Sequence, residues 1–151
     1  MRDPWRPSVT VAAVIERGGR YLLVEEEVDG RRVLNQPAGH LDPGESLAAA
    51  CAREVLEETA HRFTPRALVG IYRWRYPAKD VTFLRFCFCG DLRGEEAGRS
   101  LDRGIVAARW LSFDEALARK AEHRSPLVEQ CLRDFRAGRR YPLEVLSAEF
   151  A

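Results

Sequence analysis

A helix with its acids crowded along one edge limits this chain more than any other feature. Residues 39–58 read GHLDPGESLAAACAREVLEE. Leu47, Cys51 and Val55 recur at i, i+4 and i+8, which makes an apolar stripe on a helix. Glu54, Glu57 and Glu58 stand three and four residues apart, so they are neighbours on the same helix and fall mostly to one side of that stripe. Each such pair of like charges costs about 0.2–0.5 kcal/mol. Their place near the helix C-terminus adds to the cost, because the macrodipole disfavours anions there. A sequence that carries both penalties gains something from a cation, and three hard carboxylate ligands suit Mg²⁺ or Mn²⁺. The pattern predicts a helix from Asp42 or Ser46 to about Thr59. Asp42-Pro43-Gly44-Glu45 reads as a capping box with proline at the first helical position.

Strand patterns surround this helix. Val9–Ile15 is an apolar run rich in β-branched residues, which suits a buried strand. Arg17-Gly18-Gly19-Arg20 is a turn, and Tyr21–Glu25 is the returning strand of a hairpin. After the Asp29-Gly30 turn, Val33–Gln36 is extended up to Pro37, and a loop covers Ala38 to about Gly44. Leu68–Trp74 and Val81–Cys89 form a strand pair joined near Pro77-Ala78-Lys79-Asp80. Leu92–Gly104 is a polar loop, and Ile105–Leu111 is a further strand. Ser112-Phe113-Asp114-Glu115 is a capping box for a helix to about Glu122, and Ser125-Pro126 opens a last helix that ends near Gly138. Strands and helices mix irregularly, so the fold class is α/β or α+β, with helices covering a mixed sheet. A length of 151 residues suits one domain, spanning 1–151.

The net charge of +1 implies no overall pull toward a nucleic acid polymer or a membrane. Only Lys79 and Lys120 among the 24 basic residues are lysines. The planar arginine fork suits phosphate handling, although a GC-rich genome explains the bulk of the arginines more simply. Cys51, Cys87, Cys89 and Cys131 form no CxxC pair and no zinc spacing, so they read as small core or surface thiols in a reducing compartment. Cys87 and Cys89 face one side of their strand. The first ten residues, MRDPWRPSVT, hold no apolar leader, and no segment reaches membrane length, so a cytoplasmic protein is expected.

The glutamate helix also matches a known signature, G-x5-E-x7-R-E-U-x-E-E-x-G-U, in which U is a bulky apolar residue. Gly39, Glu45, Arg53-Glu54, Val55 and Glu57-Glu58 fill it in order. On these residues the chain resembles the Nudix hydrolases, the MutT-like family. It departs at the last two places, where Ala60 replaces a glycine and His61 an apolar residue. Asn35–Leu41, Phe83–Phe86, Arg109-Trp110, Arg124–Val128 and Arg140–Glu144 are similar to the NudJ-type phosphatase branch. The resemblance implies an α/β/α sandwich around a mixed sheet.

It also implies roles. Glu54, Glu57 and Glu58 look like the Mg²⁺ (or Mn²⁺) ligands, with the Gly39 carbonyl as an additional one. Glu45 and Arg53 look like structural partners that hold the loop against the helix, completing a catalytic set of Glu45, Arg53, Glu54, Glu57 and Glu58. Family members take a further acid from a loop before a late strand. Asp102, Glu95 and Glu96 are the candidates, although Gly104 stands nearer the expected place. For substrate contact, Trp74 could stack on a ring, Gln36 could read a polar edge and Arg85 could hold a phosphate; core burial suits Trp74 as well. Arg139-Arg140 reads as a charge pair at a helix C-terminus. His40 and His61 read as solvated or locally bonded, and His123 belongs to no ligand cluster.

The function implied is an Mg²⁺-dependent phosphohydrolase of nucleoside di- and triphosphates, with thiamine diphosphate and hydroxymethylpyrimidine diphosphate in the same range, that releases orthophosphate. The expected partner is a small-molecule diphosphate or triphosphate, handled by a monomer or homodimer. Two alternatives are a pyrophosphatase that cleaves ADP-ribose or dinucleotides to monophosphates, and a non-catalytic nucleotide sensor. A degenerate sensor is expected to lose the glutamates, and this chain keeps them.

Overall fold

Alternation along the first strand divides the molecule into two layers of core. The computed structural model describes residues 1–146. In β1 (Ser8–Val14), Val11 and Ala13 enter one cluster and Ala12 and Val14 the other. Successive side chains of a strand point to opposite faces, so an unbroken apolar run requires cover on both. Helix α1 (Leu47–Thr59) supplies cover on the Val11 face through Ala50, Cys51 and Val55, all buried. Helix α3 (Leu127–Arg136) supplies Cys131 and Leu132 on the Ala12 face.

The main sheet has five strands in the order β5-β1-β7-β6-β9. These are β5 (Ala38–His40), β6 (His61–Tyr76), β7 (Val81–Glu95) and β9 (Tyr141–Pro142) beside β1. The β1–β7 pairing is parallel and the others are antiparallel, so the sheet is mixed. A second sheet joins β2 (Glu16–Arg17), β3 (Arg20–Val28) and β4 (Arg31–Asn35), with β8 (Ile105–Ser112) on the other edge of β3. Cys87 and Cys89 share a face, as alternation requires, and all four cysteines are buried free thiols. Among the described residues no helix is long and apolar enough to cross a membrane.

Several sequence boundaries shift. The segment Asp42–Glu45 is a turn rather than a helix start. Gly44 has φ +80, which no helix continues, and α1 begins after Ser46, whose side chain accepts from the Ala49 N–H. Part of the expected Ala38–Gly44 loop is β5, which pairs with β1. The hairpin β6–β7 is longer than predicted, so Leu92–Glu95 belongs to a strand and not to the polar loop. The Ser112 capping box opens α2 (Phe113–Ala118), which is shorter than expected and gives way to a 3₁₀ turn at Lys120–Glu122. Arg139 and Arg140 close α3, where Arg140 donates to the carbonyl of Phe135 and lies over its ring at 3.8 Å.

Candidate active site

The site lies at the β5 edge of the main sheet, where the two faces meet. Gly39 pairs with Val11 and faces α1, while His40 pairs with Thr10 and faces the opposite side. On the α1 side, the absence of a side chain at Gly39 admits the Glu54 carboxylate. A Cβ there would lie 2.1 Å from Glu54 Cδ.

Arg53 organises the carboxylates. Its Nε and Nη2 make a two-pronged contact with Glu45 at 3.0 and 2.6 Å, and Nη2 also reaches the His40 carbonyl at 3.0 Å. Nη1 donates to Glu54 at 2.8 Å and to Glu57 at 3.2 Å. The Glu45 carboxylate accepts a further bond from the Asp42 N–H, which closes the turn. Arg53 therefore ties the turn, β5 and the acidic edge of α1 into one unit. Its bonds hold the Glu45 carboxyl below its ordinary range.

Burial acts on the other acids in the opposite direction. It pushes Glu54 up to about 7, against the pull of Arg53. It pushes Glu58 up to about 9, although the Ala38 N–H donates to that carboxylate at 2.8 Å. Glu57 is raised by burial and then by Asp102.

Asp102 is the loop acid that the fold recruits. Its carboxylate and those of Glu54 and Glu57 each offer an oxygen within 4.8 Å of one another. The last carbonyls of a helix lack partners within it, and Asp102 satisfies one by donating its N–H to Glu57 at 2.9 Å. Ile105 and Gly104 fix the other end of the loop through bonds to the Asp102 carbonyl and from the Glu27 N–H. Glu95 and Glu96 are directed elsewhere: Glu95 lies toward His61 and Glu96 pairs with Arg99. Glu58, expected as a ligand beside Glu54 and Glu57, is not one of this trio but lines the same cleft.

Sequence reasoning missed Glu26, which also lines this cleft. β3 is covered on both faces from Tyr21 to Glu26, so two successive acids, Glu25 and Glu26, are both buried. Glu26 Oε2 accepts from Arg124, and Oε1 is buried without a partner among the described residues. The available signal was the run Glu25-Glu26-Glu27 inside an otherwise apolar strand. A buried, orphaned carboxylate oxygen beside three converging carboxylates fits a hard divalent cation well.

Across β5 a second cavity opens on the α3 side. Registers place His40 beside Thr10, Thr10 beside Arg85, and Phe83 beside Trp74. Trp74 is half-buried and stacks on Phe83 at 5.9 Å and on Tyr76 at 5.4 Å, so it forms a cavity wall rather than core. Arg85 is 6% exposed and, among the described residues, bonds only neutral groups, Gln36 Oε1 at 2.9 Å, Asn35 Oδ1 at 3.1 Å and Cys131 Sγ at 3.9 Å. A buried cation without a counter-charge, on a cavity wall, is suited to an anion. Gln36 is not on that wall. It is fully buried, with Nε2 donating to the Val128 carbonyl at 2.8 Å, so it orients Arg85 instead of reading a substrate edge.

A family profile described as NUDIX domain matches residues 4–131. The chain belongs to the Nudix family. It is a hydrolase of phosphoric anhydride bonds. It is similar to "Phosphatase NudJ" of Escherichia coli (strain K12), with 40% identity over 142 residues, 94% of this chain and 92% of that protein. The same figures hold for "Phosphatase NudJ" of Shigella sonnei. Among solved structures, a Nudix hydrolase from Nitrosomonas europaea is 54% identical with a TM-score of 0.93, covering 95% of this chain and 98% of that one. A MutT Nudix hydrolase from Burkholderia pseudomallei, 20% identical with a TM-score of 0.73, shares the fold over 86% of this chain and 98% of its own. Nudix hydrolases use divalent metal, and the acidic cleft described above offers this one a place to hold it.

Two departures from the Nudix signature acquire a physical account. Ala60 occupies the left-handed helix exit at φ 60, with its N–H bonded to the Leu56 carbonyl at 2.9 Å. The exit geometry therefore suits a glycine, and alanine bears the strain. His61 is buried, bonds the Thr59 carbonyl through Nδ1 at 2.8 Å and meets Trp110 edge-on.

Proposed function

We propose that this Nudix hydrolase removes the terminal phosphate, as orthophosphate, from nucleoside di- and triphosphates and from diphosphates of the thiamine and hydroxymethylpyrimidine type, with Mg²⁺ (or Mn²⁺) bound. The observation that carries the reading is the convergence of two half-sites on β5: carboxylates of Glu54, Glu57 and Asp102 on one side, Arg85 with an aromatic wall on the other. The similarity to proteins named "Phosphatase NudJ" supports phosphate release over internal cleavage.

In this reading Glu54, Glu57 and Asp102 hold the cation, with Glu58 and the Gly39 carbonyl behind them. The cation supplies charge neutralisation between carboxylates and phosphate and makes a bound water more acidic. Trp74 and Phe83 stack on the base or pyrimidine, and Arg85 binds a phosphate oxygen. A water oxygen attacks the terminal phosphorus, and its proton passes to a carboxylate of the Glu57–Asp102 pair. The bridging P–O bond breaks, leaving orthophosphate and the shortened substrate. Arg53 and Glu45 touch neither water nor phosphate; they position Glu54 and Glu57.

The test is product analysis with ADP, ATP, thiamine diphosphate and ADP-ribose in Mg²⁺. Orthophosphate with AMP from ADP, lost on chelation, is the expected result. AMP and ribose phosphate from ADP-ribose, with no orthophosphate from any diphosphate, overturns it.

A further inference from the structure

We infer that Arg124, held by Glu26, is a specificity-determining residue that binds the phosphate left on the product, at the junction of the two half-sites. The inference rests on the terminal-phosphate reading above.

Ala38, Gly39, His40 and Arg124 are the residues that line both the aromatic cavity and the acidic cleft, and Arg124 is the one arginine among them. Its place is fixed on two counts. Its N–H donates to the Leu34 carbonyl at 2.9 Å, next to the parallel bridge between Leu34 and His123. Its guanidinium donates through Nη1 to Glu26, whose side chain is only 7% exposed. Glu26 is its one ion-pair partner among the described residues, and the arginine side chain remains 48% exposed. One corner of the fork is thus anchored, while the planar group still faces open space.

The placement distinguishes two phosphates. The phosphate to be removed lies with the carboxylates and the cation. The adjoining phosphate, bonded to the nucleoside or pyrimidine, must then lie between the carboxylates and the aromatic wall. Two cations can meet it there, Arg85 from the buried wall and Arg124 from the junction. Arg85 has no carboxylate partner among the described residues, so it presents full charge. Arg124 is partly neutralised by Glu26, which limits its hold on the monophosphate product and favours release. Arg124 thereby measures whether a second phosphate follows the terminal one.

The experiment measures kcat and KM for ADP, product inhibition by AMP, and Mn²⁺ affinity by titration calorimetry, for wild type, Arg124→Lys, Glu26→Gln and the double variant Glu26→Gln/Arg124→Ala. The double variant avoids leaving a buried carboxylate without its cation, which would destabilise the fold. Relative to Glu26→Gln alone, the double variant is expected to raise KM for ADP and the AMP inhibition constant together by about tenfold or more, the loss of one charge-assisted contact. Its kcat should stay within about threefold and its Mn²⁺ affinity should not change, since the phosphate contact is present in ground and transition states alike. Arg124→Lys should recover part of the loss. An unchanged KM and AMP constant, or a loss confined to kcat, or a loss that follows Mn²⁺ affinity, overturns the assignment. A wild-type enzyme that releases no orthophosphate from ADP defeats the underlying reading instead, which the product analysis shows separately.

Discussion

Gly39 and the Glu54 carboxylate are in contact so close that an added methyl at Gly39 would lie 2.1 Å from Glu54 Cδ. Both elements are held from behind, β5 by its pairing to β1 and the carboxylate by Arg53. Gly39→Ala is therefore expected to displace the Glu54 side chain rather than the strand. Mn²⁺ affinity should fall by about tenfold or more, as it does when ligand positioning is lost. Calorimetric titration checks this, and wild-type affinity in Gly39→Ala would mean that Glu54 has no part in holding the ion.

Arg53 joins Glu45, Glu54, Glu57 and the His40 carbonyl through a fork that lysine cannot copy. Arg53→Lys is expected to cost about 2 kcal/mol of stability, less than the 3–5 of a fully buried broken pair because the side chain is partly exposed. Urea unfolding followed by circular dichroism reads the loss directly. A stability within about 0.5 kcal/mol of wild type would reduce this network to surface pairing.

The metal-free protein should lose stability as pH rises. Burial raises Glu54 to about 7 and Glu58 to about 9, above the ordinary carboxyl value near 4.5. Between about pH 4.5 and 9 the folded chain thus binds more protons than the unfolded one, and the slope of stability with pH is negative. Melting in chelator at pH 8.5 should be lower than at pH 6 by at least ~2 °C, on the order of 1 kcal/mol for a domain of this size. Glu58→Gln should flatten the difference, since it removes the larger of the two contributions. A melting point that rises with pH in chelator, or a slope untouched by Glu58→Gln, counts against these buried acids.

Ala60 at φ 60 carries strain of about 1–2 kcal/mol for a residue with a Cβ. Replacement by glycine removes it but also loses a buried methyl, worth ~0.8 kcal/mol, and loosens the unfolded chain. These terms nearly cancel, so Ala60→Gly should change stability by less than about 1 kcal/mol. Ala60→Val should lose at least ~2 kcal/mol, because a β-branched residue is not accommodated at positive φ. Equal stability for the two variants would show that the exit is not held left-handed.

The acidic edge of α1 was legible in the sequence because a helix converts spacing into adjacency. Glu54, Glu57 and Glu58 needed no other part of the chain to become neighbours, and Glu45 and Arg53 extend that local pattern across the turn that precedes the helix. The run Val9–Ile15 likewise announced a strand covered on both faces. Tertiary structure alone decided what meets that edge. Asp102 joins it from a loop without periodicity, through one bond to a spare helix carbonyl; Glu95 and Glu96, equal to it in sequence terms, are drawn off by His61 and Arg99. Glu26 is buried because tertiary packing covers β3 on both faces, and Arg85 is a buried cation whose hydrogen-bond partners among the described residues, Gln36, Asn35 and Cys131, carry no counter-charge. Residue type and spacing determine contacts within one element. Contacts between elements depend on register, and on which distant groups satisfy the hydrogen bonds that each element leaves open.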